Sequence, residues 1–544
     1  MLDPDQSFRV FRRRSRGLNA RSILVLLLAA AAAYLSLAPS FTQLPLPSVV
    51  DIVANPTLGI GSLLVLQILA ILIGVDIFSL GFSELFHGRP CRETIVATIL
   101  HSVSLLVFPE QNGVTTPYIA ASILMLYAMM REDRGRYAAR ARSYKAVAQA
   151  DRLLAVYSHY DDVDDACRAA KGPLFNKNDF LTELERPDTV DRFSMIYAPL
   201  ALALSIIFAL VSSLGRGEPV RFFWAFSAIT IVAAPIGLLC AFGAGYKNIA
   251  RRLLASGAAL AGARQANLLR GTEEVVLAEN DLFPTGSIEL ESIKAVGQLD
   301  ETRILSCAAA LADAAGLELG RALSEAARAH SALPLTAHDL RVVDGGLTGH
   351  VGSSYMVLGT GALMVNMGVT IPAERDSQVA MYLLADNQLA GVITLRYLPT
   401  KNTYKAMRLM RRMHMNAVIA ARDFNVSPAM VEEEFDLRRG FADQPDPAGV
   451  ARLLDPRYAK GDAPAAVLTR EGAGPFMQVL RCADKLAGAV RSALTLSTFA
   501  GLFGMLIVFY LVFQNQAAAL PVQHLLLYLL IWYIPVFVIN QQTH

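Results

Sequence analysis

The chain has 544 residues, of which 54% are hydrophobic and 18% are charged, and its mean hydropathy is +0.40. This composition excludes a water-soluble enzyme of ordinary make-up and favours a membrane protein in contact with the lipid bilayer. The formal net charge of +2 gives no bulk electrostatic reason to expect a nucleic-acid partner.

Eight apolar segments are predicted as membrane-spanning helices, because a helix needs about 20 apolar residues to cross the hydrocarbon core. The segments lie near residues 22–41, 60–83, 94–109, 115–130, 193–214, 221–243, 492–513 and 519–539. The third and fourth are short and could form a tight hairpin. The first has the character of a signal peptide, but the second follows quickly and no convincing cleavage site lies between them.

Basic residues predict the orientation of these spans, because cytoplasmic loops are enriched in lysine and arginine. Arginines cluster before the first span, between the second and third, and after the fourth: Arg9, Arg12, Arg13, Arg14, Arg16, Arg21, Arg89, Arg92, Arg131, Arg134, Arg136, Arg140 and Arg142. The loops 42–59, 110–114 and 514–518 contain no lysine or arginine, and 215–220 contains only Arg216. We therefore expect both termini and both soluble regions on the cytoplasmic side of the cell membrane. The arginines before the first span could alternatively contact anionic lipid head groups.

Two soluble regions interrupt the spans. The first, 131–191, is polar and is predicted to be helical. It contains an acidic patch whose carboxylates we expect to be solvated rather than bound to a cation: Asp161, Asp162, Asp164 and Asp165. In the second region, 244–491, the glycine-rich stretch 340–364 alternates as antiparallel strands do, and 380–395 is predicted as two strands around Asp386-Asn387-Gln388. The order of elements predicts an α/β domain split by an inserted α+β unit.

Two stretches carry a resemblance to a known family. Residues 344–364, DGGLTGHVGSSYMVLGTGALM, resemble the glycine loop and following strands of a nucleotide-binding domain, and 391–421 resembles the strand, helix and strand of a phosphorylation domain. With the order of its spans, the chain resembles a P-type ATPase, most closely of the heavy-metal-transporting branch. The resemblance implies the following division: a basic N-terminus (1–21), four spans (22–130), a short helical region in the actuator position (131–191), two spans (192–243), the first part of a haloacid-dehalogenase-like phosphorylation domain, or P-like domain (244–294), a nucleotide-binding-like domain, or N-like domain (295–390), the second part of the P-like domain (391–491), and two spans (492–544).

The positions at which this family performs chemistry are altered. Its phosphorylated DKTGT motif follows a short apolar strand, and alignment on Val275-Val276-Leu277 puts Ala278 at the nucleophile, where no aspartyl phosphate can form. Glu279 and Asp281 are nearby carboxylates, but a displaced nucleophile would have to satisfy in-line geometry. The TGE loop is not found in 131–191. The TGD, GDGxND and His-Pro motifs correspond here to Ala421-Arg422-Asp423, Gly461-Asp462-Ala463 and Leu317-Glu318.

Nucleotide binding is the step of the family's cycle that could survive. Gly346 and Gly349 match two glycines of a loop that lets a nucleotide approach the backbone. Asp344 stands where the family has its first loop glycine, and its negative charge would face a polyphosphate unfavourably. The alternative is a purely structural β-turn. No cofactor is therefore expected, although ATP and Mg²⁺ are the ligands that the resemblance implies.

Within the spans, Pro235 marks a predicted interruption of the sixth helix, a device with which transporters build binding sites at mid-membrane depth. It lies in Ala234-Pro235-Ile236, where the metal-transporting branch has Cys-Pro-Cys, so the flanking thiol ligands are missing. Asp76 and His101 are ionisable residues within spans and are candidate ion-path residues or buried partners. The five cysteines form no CxxC pair, so we expect free thiols in a reducing compartment and no metal site.

These departures predict a catalytically inactive member of the family, with no catalytic residue, that acts as a regulator, sensor or assembly partner of a membrane protein. One alternative is a cation transporter whose path passes Pro235, Asp76 and His101 and whose energy comes from a partner or a gradient. A second alternative is a nucleotide-sensing membrane protein in which binding near Gly346 and Gly349 shifts domain closure without hydrolysis.

Overall fold

The computed structural model describes residues 3–40, 45–107, 116–150, 152–284, 286–371, 379–459, 462–514, 516 and 519–543. The chain folds into two compact units. The first, which holds the membrane helices, comprises Met1–Asp151, Asn176–Arg270 and Cys482–His544. The second, which holds the P-like and N-like domains, comprises Arg152–Phe175 and Gly271–Arg481.

Helices make up most of the first unit, whereas the second combines two sheets with helices. In chain order the helices are α1 Pro4–Leu37, α2 Pro56–Ile73, α3 Val75–Phe86, α4 Arg92–Leu105, α5 Ile119–Ala148, α6 Lys177–Glu185, α7 Thr189–Ser213, α8 Phe222–Ala233, α9 Ile236–Leu239, α10 Gly243–Ser256, α11 Ala263–Arg270, α12 Glu279–Leu282, α13 Glu301–Ala314, α14 Glu318–Ala329, α15 Gly361–Asn366, α16 Lys401–Arg412, α17 Pro428–Glu434, α18 Pro447–Leu453, α19 Ala473–Phe513 and α20 Val522–Gln541. The strands are β1 Leu154–Asp161, β2 Ala166–Pro173, β3 Ala258–Leu260, β4 Glu274–Ala278, β5 Ile288–Ala295, β6 Ala337–Val343, β7 Gly346–Val351, β8 Ser354–Gly359, β9 Val379–Ala385, β10 Gln388–Tyr397, β11 Asn416–Ala420, β12 Ala442–Asp443 and β13 Ala466–Leu468.

Helices lie at the positions of all eight predicted spans, but their lengths differ. Among the described residues, five helical stretches are long and apolar enough to cross a membrane, and the bent pair Pro219–Ala233 and Ile236–Ser256 makes a sixth if it is one span. The second predicted span breaks at Gly74 between α2 and α3. The helix at the third, α4, has only 14 residues, and α5 continues well past its apolar part. The exact number of spans therefore stays a prediction.

The first sheet of the second unit forms the P-like domain. Its strands in this unit follow the order β12-β11-β4-β2-β1-β13, in which β12, β11, β4 and β2 run parallel. The apolar residues of β4 and β11 are buried on both faces, as is usual for parallel strands. A hydrophobic cluster forms under the sheet around Val276, Val418 and Leu453.

The strands β1 and β2 form a hairpin that departs from the predicted helical region 131–191. They pair antiparallel over eight residues each, and β2 then adds in parallel to β4. Among the described residues of this region, only α5, α6 and the start of α7 are helical. The segment in the actuator position thus contributes two strands to the P-like sheet.

Charged side chains fix this hairpin to the sheet. Arg168 of β2 donates from Nε to Glu274 of β4 at 2.7 Å and from Nη1 to Asp161 at 3.0 Å and Asp164 at 2.5 Å. Arg452 also contacts Asp161 and Asp164, each at 3.2 Å. Two residues of the acidic patch are therefore paired with arginine, which corrects the expectation that all four are solvated.

The second sheet, of the N-like domain, is antiparallel in the order β5-β10-β9-β8-β7-β6. The predicted hairpin around Asp386-Asn387-Gln388 is present as β9 and β10. Asp386 and Asn387 both have positive φ, of 47° and 66°, as a two-residue turn of this kind requires. The domain extends past its predicted limits of 295 and 390, because β10 pairs with β5 from Gly391↔Ala295 to Tyr397↔Ile288.

The helix α16 follows β10 of the N-like sheet and leads into β11 of the P-like sheet. A helix was predicted here, but the strand before it was expected in the phosphorylation domain. The Thr400 side chain accepts a hydrogen bond from the Thr403 N–H at 3.2 Å and begins the helix. Arg411 and Arg412 occupy the last turn, where positive charge is favourable. The chain then turns at His414, with φ of 57°, into β11.

Candidate functional site

The candidate site lies at the carboxyl ends of two neighbouring parallel strands of the P-like sheet. β4 ends at Ala278 and β11 at Ala420, and these residues are paired in register. The chain leaves β4 through the one-turn helix α12 and leaves β11 towards Asp423. The residues that follow the two strands meet at this edge, which is where α/β proteins place their sites.

Ala278, the predicted nucleophile position, presents only a methyl group at this edge. Its backbone N–H donates to Asp281 Oδ2 at 3.0 Å, so the Asp281 side chain caps the turn that follows β4. Asp281 is fully buried. The carboxylate nearest the strand end therefore has a structural partner in the backbone.

A lysine from the hairpin supplies a positive charge to the site. The Lys171 ammonium forms an ion pair with Oδ1 of Asp281 and lies 5.6 Å from the centroid of the Phe476 ring. Only 11% of the Lys171 side chain and 0% of the Asp281 side chain are exposed. One Asp281 oxygen therefore binds the ammonium and the other binds a backbone N–H.

This arrangement does not fit a phosphorylation site that holds Mg²⁺. Mg²⁺ requires oxygen ligands in near-octahedral geometry, and a divalent cation at Asp281 would meet the Lys171 ammonium as a like charge. An aspartyl nucleophile needs an oxygen free to attack in line, whereas both oxygens of Asp281 are engaged. Of the residues that replace the magnesium motif, Gly461 lies outside the described residues and Asp462 bonds to His159 at 2.6 Å.

Two further carboxyl groups lie at the site. Asp423 is buried and accepts from the Tyr397 O–H at 2.5 Å and from the Asn425 N–H at 2.9 Å. Burial raises the pKa of Asp423 in spite of these bonds. Burial first, and then the neighbouring Asp423 carboxylate, raise the pKa of Glu279 to about 7. Glu279 Oε1 is buried and has no hydrogen-bond partner in the described part of the chain. We therefore infer that Glu279 is partly protonated near neutral pH.

Glu279→Gln is expected to change how stability depends on pH. A carboxyl group whose pKa is raised on folding favours the folded state while the group is protonated. This contribution to stability is fully present below the pKa of the unfolded chain, 4.5, and is lost as the pH rises through about 7. The wild type should therefore lose about 2 kcal/mol relative to Glu279→Gln between pH 5 and pH 8. Thermal unfolding of the detergent-purified chain at several pH values measures this difference.

The exposed Glu273 provides the matched control, since Glu273→Gln removes the same charge beside β4 outside the site. Its pH profile should follow the wild type. An identical pH profile for Glu279→Gln and wild type would contradict a retained proton. If Mg²⁺ stabilises the wild type at pH 8 but does not stabilise Glu279→Gln, Glu279 and Asp423 instead bind a cation.

Packing accounts for the two glycines of the predicted nucleotide loop. A Cβ at Gly346 would lie 2.4 Å from Leu358 O and 2.6 Å from Leu363 Cδ2. A Cβ at Gly349 would lie 3.1 Å from both His338 O and Leu311 Cδ2. Both glycines are buried. Both glycines lie within the strand β7, which corrects the predicted β-turn, and their contacts with β8, β6 and α13 favour a packing role over a nucleotide cradle.

Pro235 lies at a break in the membrane unit, as predicted. The helices on its two sides are bent by 58°. The Tyr197 O–H donates to Ala233 O at 2.6 Å, and Asn540 Nδ2 donates to Cys240 O at 3.0 Å. Side chains of α7 and α20 therefore satisfy carbonyl groups on both sides of the break, which is how a membrane helix tolerates one.

The two ionisable candidates of the spans have protein partners. Asp76 Oδ2 accepts from Arg21 Nη1 at 3.0 Å, and Arg21 Nε donates to Ile73 O at 2.8 Å. The His101 ring packs edge-on against Phe82, with 5.7 Å between centroids. No described hydrogen bond or ion pair joins Pro235, Asp76 and His101. Within the described ranges, no three His, Cys, Asp or Glu side chains are grouped as metal ligands.

A buried charge network in the membrane unit was not predicted. Arg136 of α5 donates from Nε to Glu132 at 3.0 Å and from Nη1 to Asp191 at 2.5 Å. The second Glu132 oxygen accepts from the Gly243 N–H at 2.7 Å, and Arg92 Nη2 lies 3.9 Å from Asp191. The network joins α4, α5, α7 and the start of α10. The i,i+4 spacing of Glu132 and Arg136 was its local signal in the sequence.

No protein-family model matches the chain. A copper-transporting P-type ATPase of Rhizobium leguminosarum bv. viciae is 22% identical over 296 residues, which are 52% of this chain and 35% of that relative. A crystal structure of a zinc-transporting PIB-type ATPase covers 97% of this chain and 99% of its own, with a TM-score of 0.51 and 13% identity. The chain has the fold of the heavy-metal P-type ATPases. The predicted resemblance is thereby confirmed.

A second crystal structure of a zinc-transporting PIB-type ATPase, in a different state of its cycle, covers 92% of this chain and 99% of its own, with a TM-score of 0.47 and 15% identity. The chain spans only 35% of the length of the curated copper-transporting relative. The P-type ATPase fold explains the order of spans and soluble domains, and the chain is related to metal transporters of this type.

Proposed function

We propose that this P-type ATPase relative is catalytically inactive and acts as a regulator, sensor or assembly partner in the cell membrane. The observation that carries the proposal is the pair of Lys171 and Asp281 beside Ala278. An internal ammonium occupies the neighbourhood in which a phosphorylating enzyme needs Mg²⁺, and the nucleophile position has no oxygen. The basic residues around the spans support cytoplasmic termini and soluble domains.

The purified full-length chain is expected to form no acid-stable phosphoenzyme with ATP and Mg²⁺ and to hydrolyse no ATP above a reaction without protein. Ala278→Asp should not restore either activity, because the Lys171 ammonium that binds Asp281 would still lie where a phosphorylating enzyme needs Mg²⁺. Radiolabelled γ-phosphate incorporation and phosphate release measure the two activities.

The matched variants for this assay are Glu279→Gln and Asp281→Asn, which remove the two carboxylates that follow Ala278 in the chain. Magnesium-dependent hydrolysis that either variant abolishes would show that a displaced nucleophile is active and would overturn the proposal. Proteins that co-purify with the wild-type chain, but not with a variant lacking the N-like domain, would identify the partner that a regulator requires.

One observation favours cation transport as a second candidate function. The 58° bend at Pro235 interrupts a buried membrane helix, and its flanking residues Ala234 and Ile236 offer no side-chain ligand. A path here would have to use backbone carbonyls. Flux into proteoliposomes that Pro235→Ala and Asp76→Asn both abolish would support transport, and the absence of flux for every cation tried would remove it.

A further inference from the structure

A cleft of about 120 Å³ opens in the membrane unit between α5, α10 and α20. Arg131 and Arg134 of α5 line one wall, and Lys247 of α10 lines the second. The third wall carries Tyr533 and Phe537 of α20. This cleft is separate from the candidate site at β4, and it borders the region of the Pro235 break through Cys240 and Asn540.

The cleft has an excess of positive charge. Arg131, Arg134 and Lys247 form no ion pair within 4.0 Å in the described part of the chain, and Arg251 one turn along α10 is close enough to repel Lys247 electrostatically. Like charges held together in a partly buried cleft raise the free energy of the empty site. A bound anion would relieve this repulsion.

The one carboxylate of the cleft does not neutralise these cations. Glu132 lies on the wall, but its Oε1 accepts from Arg136 Nε at 3.0 Å and its Oε2 from the Gly243 N–H at 2.7 Å. Its charge is therefore committed to the buried network behind the cleft. The face that opens outward remains cationic.

The surroundings of the cleft are those of a membrane surface. Arg131 directly follows the apolar stretch of α5 that is predicted as the fourth span, so the cleft lies where that span ends. Exposed apolar side chains of α20 continue from it: Ile534 is 53%, Phe537 47% and Val538 51% exposed. Aromatic residues with adjacent arginine and lysine are typical of the level of lipid head groups. Acyl chains could lie along α20 while a head group enters the cleft.

We propose that this cleft binds the phosphate-bearing head group of an anionic phospholipid. Arg131, Arg134 and Lys247 bind the phosphate oxygens, and Phe537 contacts the lipid body. The chemistry that the cleft recognises is a phosphate anion, and the apolar wall assigns it to a lipid rather than to a free ion.

The test uses the full-length chain purified in a zwitterionic detergent and titrated with cardiolipin, with binding followed by native mass spectrometry. Saturable binding is expected for the wild type. Arg134→Gln with Lys247→Gln should weaken it about 30-fold, because each basic residue near a membrane surface contributes about 1 kcal/mol. Lys247→Arg should retain the wild-type affinity, since it keeps the charge.

The matched control is Arg408→Gln with Arg412→Gln, which removes two exposed charges from α16 and should leave cardiolipin affinity unchanged. Unfolding temperatures in detergent establish that every variant is folded, and a single Arg131→Gln variant serves if the double variant is not. Equal loss in the control, or no loss in the cleft variants, would overturn the proposal. Inorganic phosphate that binds the cleft and blocks all cardiolipin binding at equal concentration would also overturn the assignment to a lipid.

Discussion

Lys171→Met is expected to cost about 3–5 kcal/mol of local stability in the P-like domain, because it leaves the buried Asp281 carboxylate without its ammonium partner. The cation–π contact with Phe476 is lost with it. The change should appear as hydrogen exchange at least about a hundredfold faster for the backbone amides of β2 and β4, because these two strands carry the pair. Exchange is measured by mass spectrometry on the full-length chain in detergent.

The double variant Lys171→Met with Asp281→Leu removes both charges. It therefore separates the energy of the ion pair itself from the cost of leaving the Asp281 carboxylate buried without a partner. A buried pair replaced by apolar groups of similar size is often neutral in stability. The double variant should therefore regain what the unpaired charge costs, less about 1–3 kcal/mol for the Ala278 N–H, which loses its acceptor. Lys405→Met, at an exposed position of α16, is the matched control and should exchange as the wild type does. Exchange of β2 and β4 in Lys171→Met at the wild-type rate would show that Asp281 does not depend on this lysine.

The same pair explains what sequence reasoning could and could not predict about the site. The apolar run of β4 and the turn after it placed Ala278 correctly at a strand end. Lys171 could not be found in the same way, because it lies 110 residues from Asp281 in the chain. Its partner is set by the parallel pairing of β2 with β4, and a pairing between distant strands leaves no local pattern.

The β1–β2 hairpin was missed for a related reason. β2, with sequence ACRAAKGP, contains alanine and charged residues and has weak intrinsic preference for a strand. It forms because Arg168 binds Glu274 and because β1 pairs with β13 from Leu154↔Leu468. By contrast, the β9–β10 hairpin has its own turn residues, Asp386 and Asn387, and was predicted.

In the membrane unit, the helix break that was predicted is the one caused by the chemistry of a single residue. Pro235 lacks an N–H and is sterically unsuited to a helix interior, so the break was foreseeable. The break at Gly74 was not foreseeable, because a glycine within an apolar run often continues a helix. At this position a Cβ would lie only 2.9 Å from Leu126 Cδ1, so the close packing of α5 requires glycine. The expected span count came from the length of apolar runs, and both the 14-residue α4 and the apolar part of α5, which ends before Arg131, fall short of the roughly 20 residues that a span needs.

The buried charge network of the membrane unit should be as sensitive as the Lys171 pair. Arg136→Met removes the hydrogen bonds to Glu132 and Asp191 and leaves both carboxylates with weaker support from Arg92. Because Glu132 is only 1% exposed, its unpaired charge cannot be hydrated. The loss should be about 3–5 kcal/mol, measured as a lower unfolding temperature of the detergent-purified chain.

Arg140→Met tests whether loss of any α5 arginine has this effect, since Arg140 lies one turn further along the same helix. Its cost should stay below about 1 kcal/mol. Asp191→Asn in the Arg136→Met background removes one of the two orphaned charges, so the double variant should be more stable than Arg136→Met alone. If Asp191→Asn lowers stability equally in both backgrounds, Arg136 and Asp191 act independently and the network does not couple α5 to α7. Coupling between them would mean that buried charges join α5, which lines the cleft, to α7, whose Tyr197 binds the Ala233 carbonyl beside the break at Pro235.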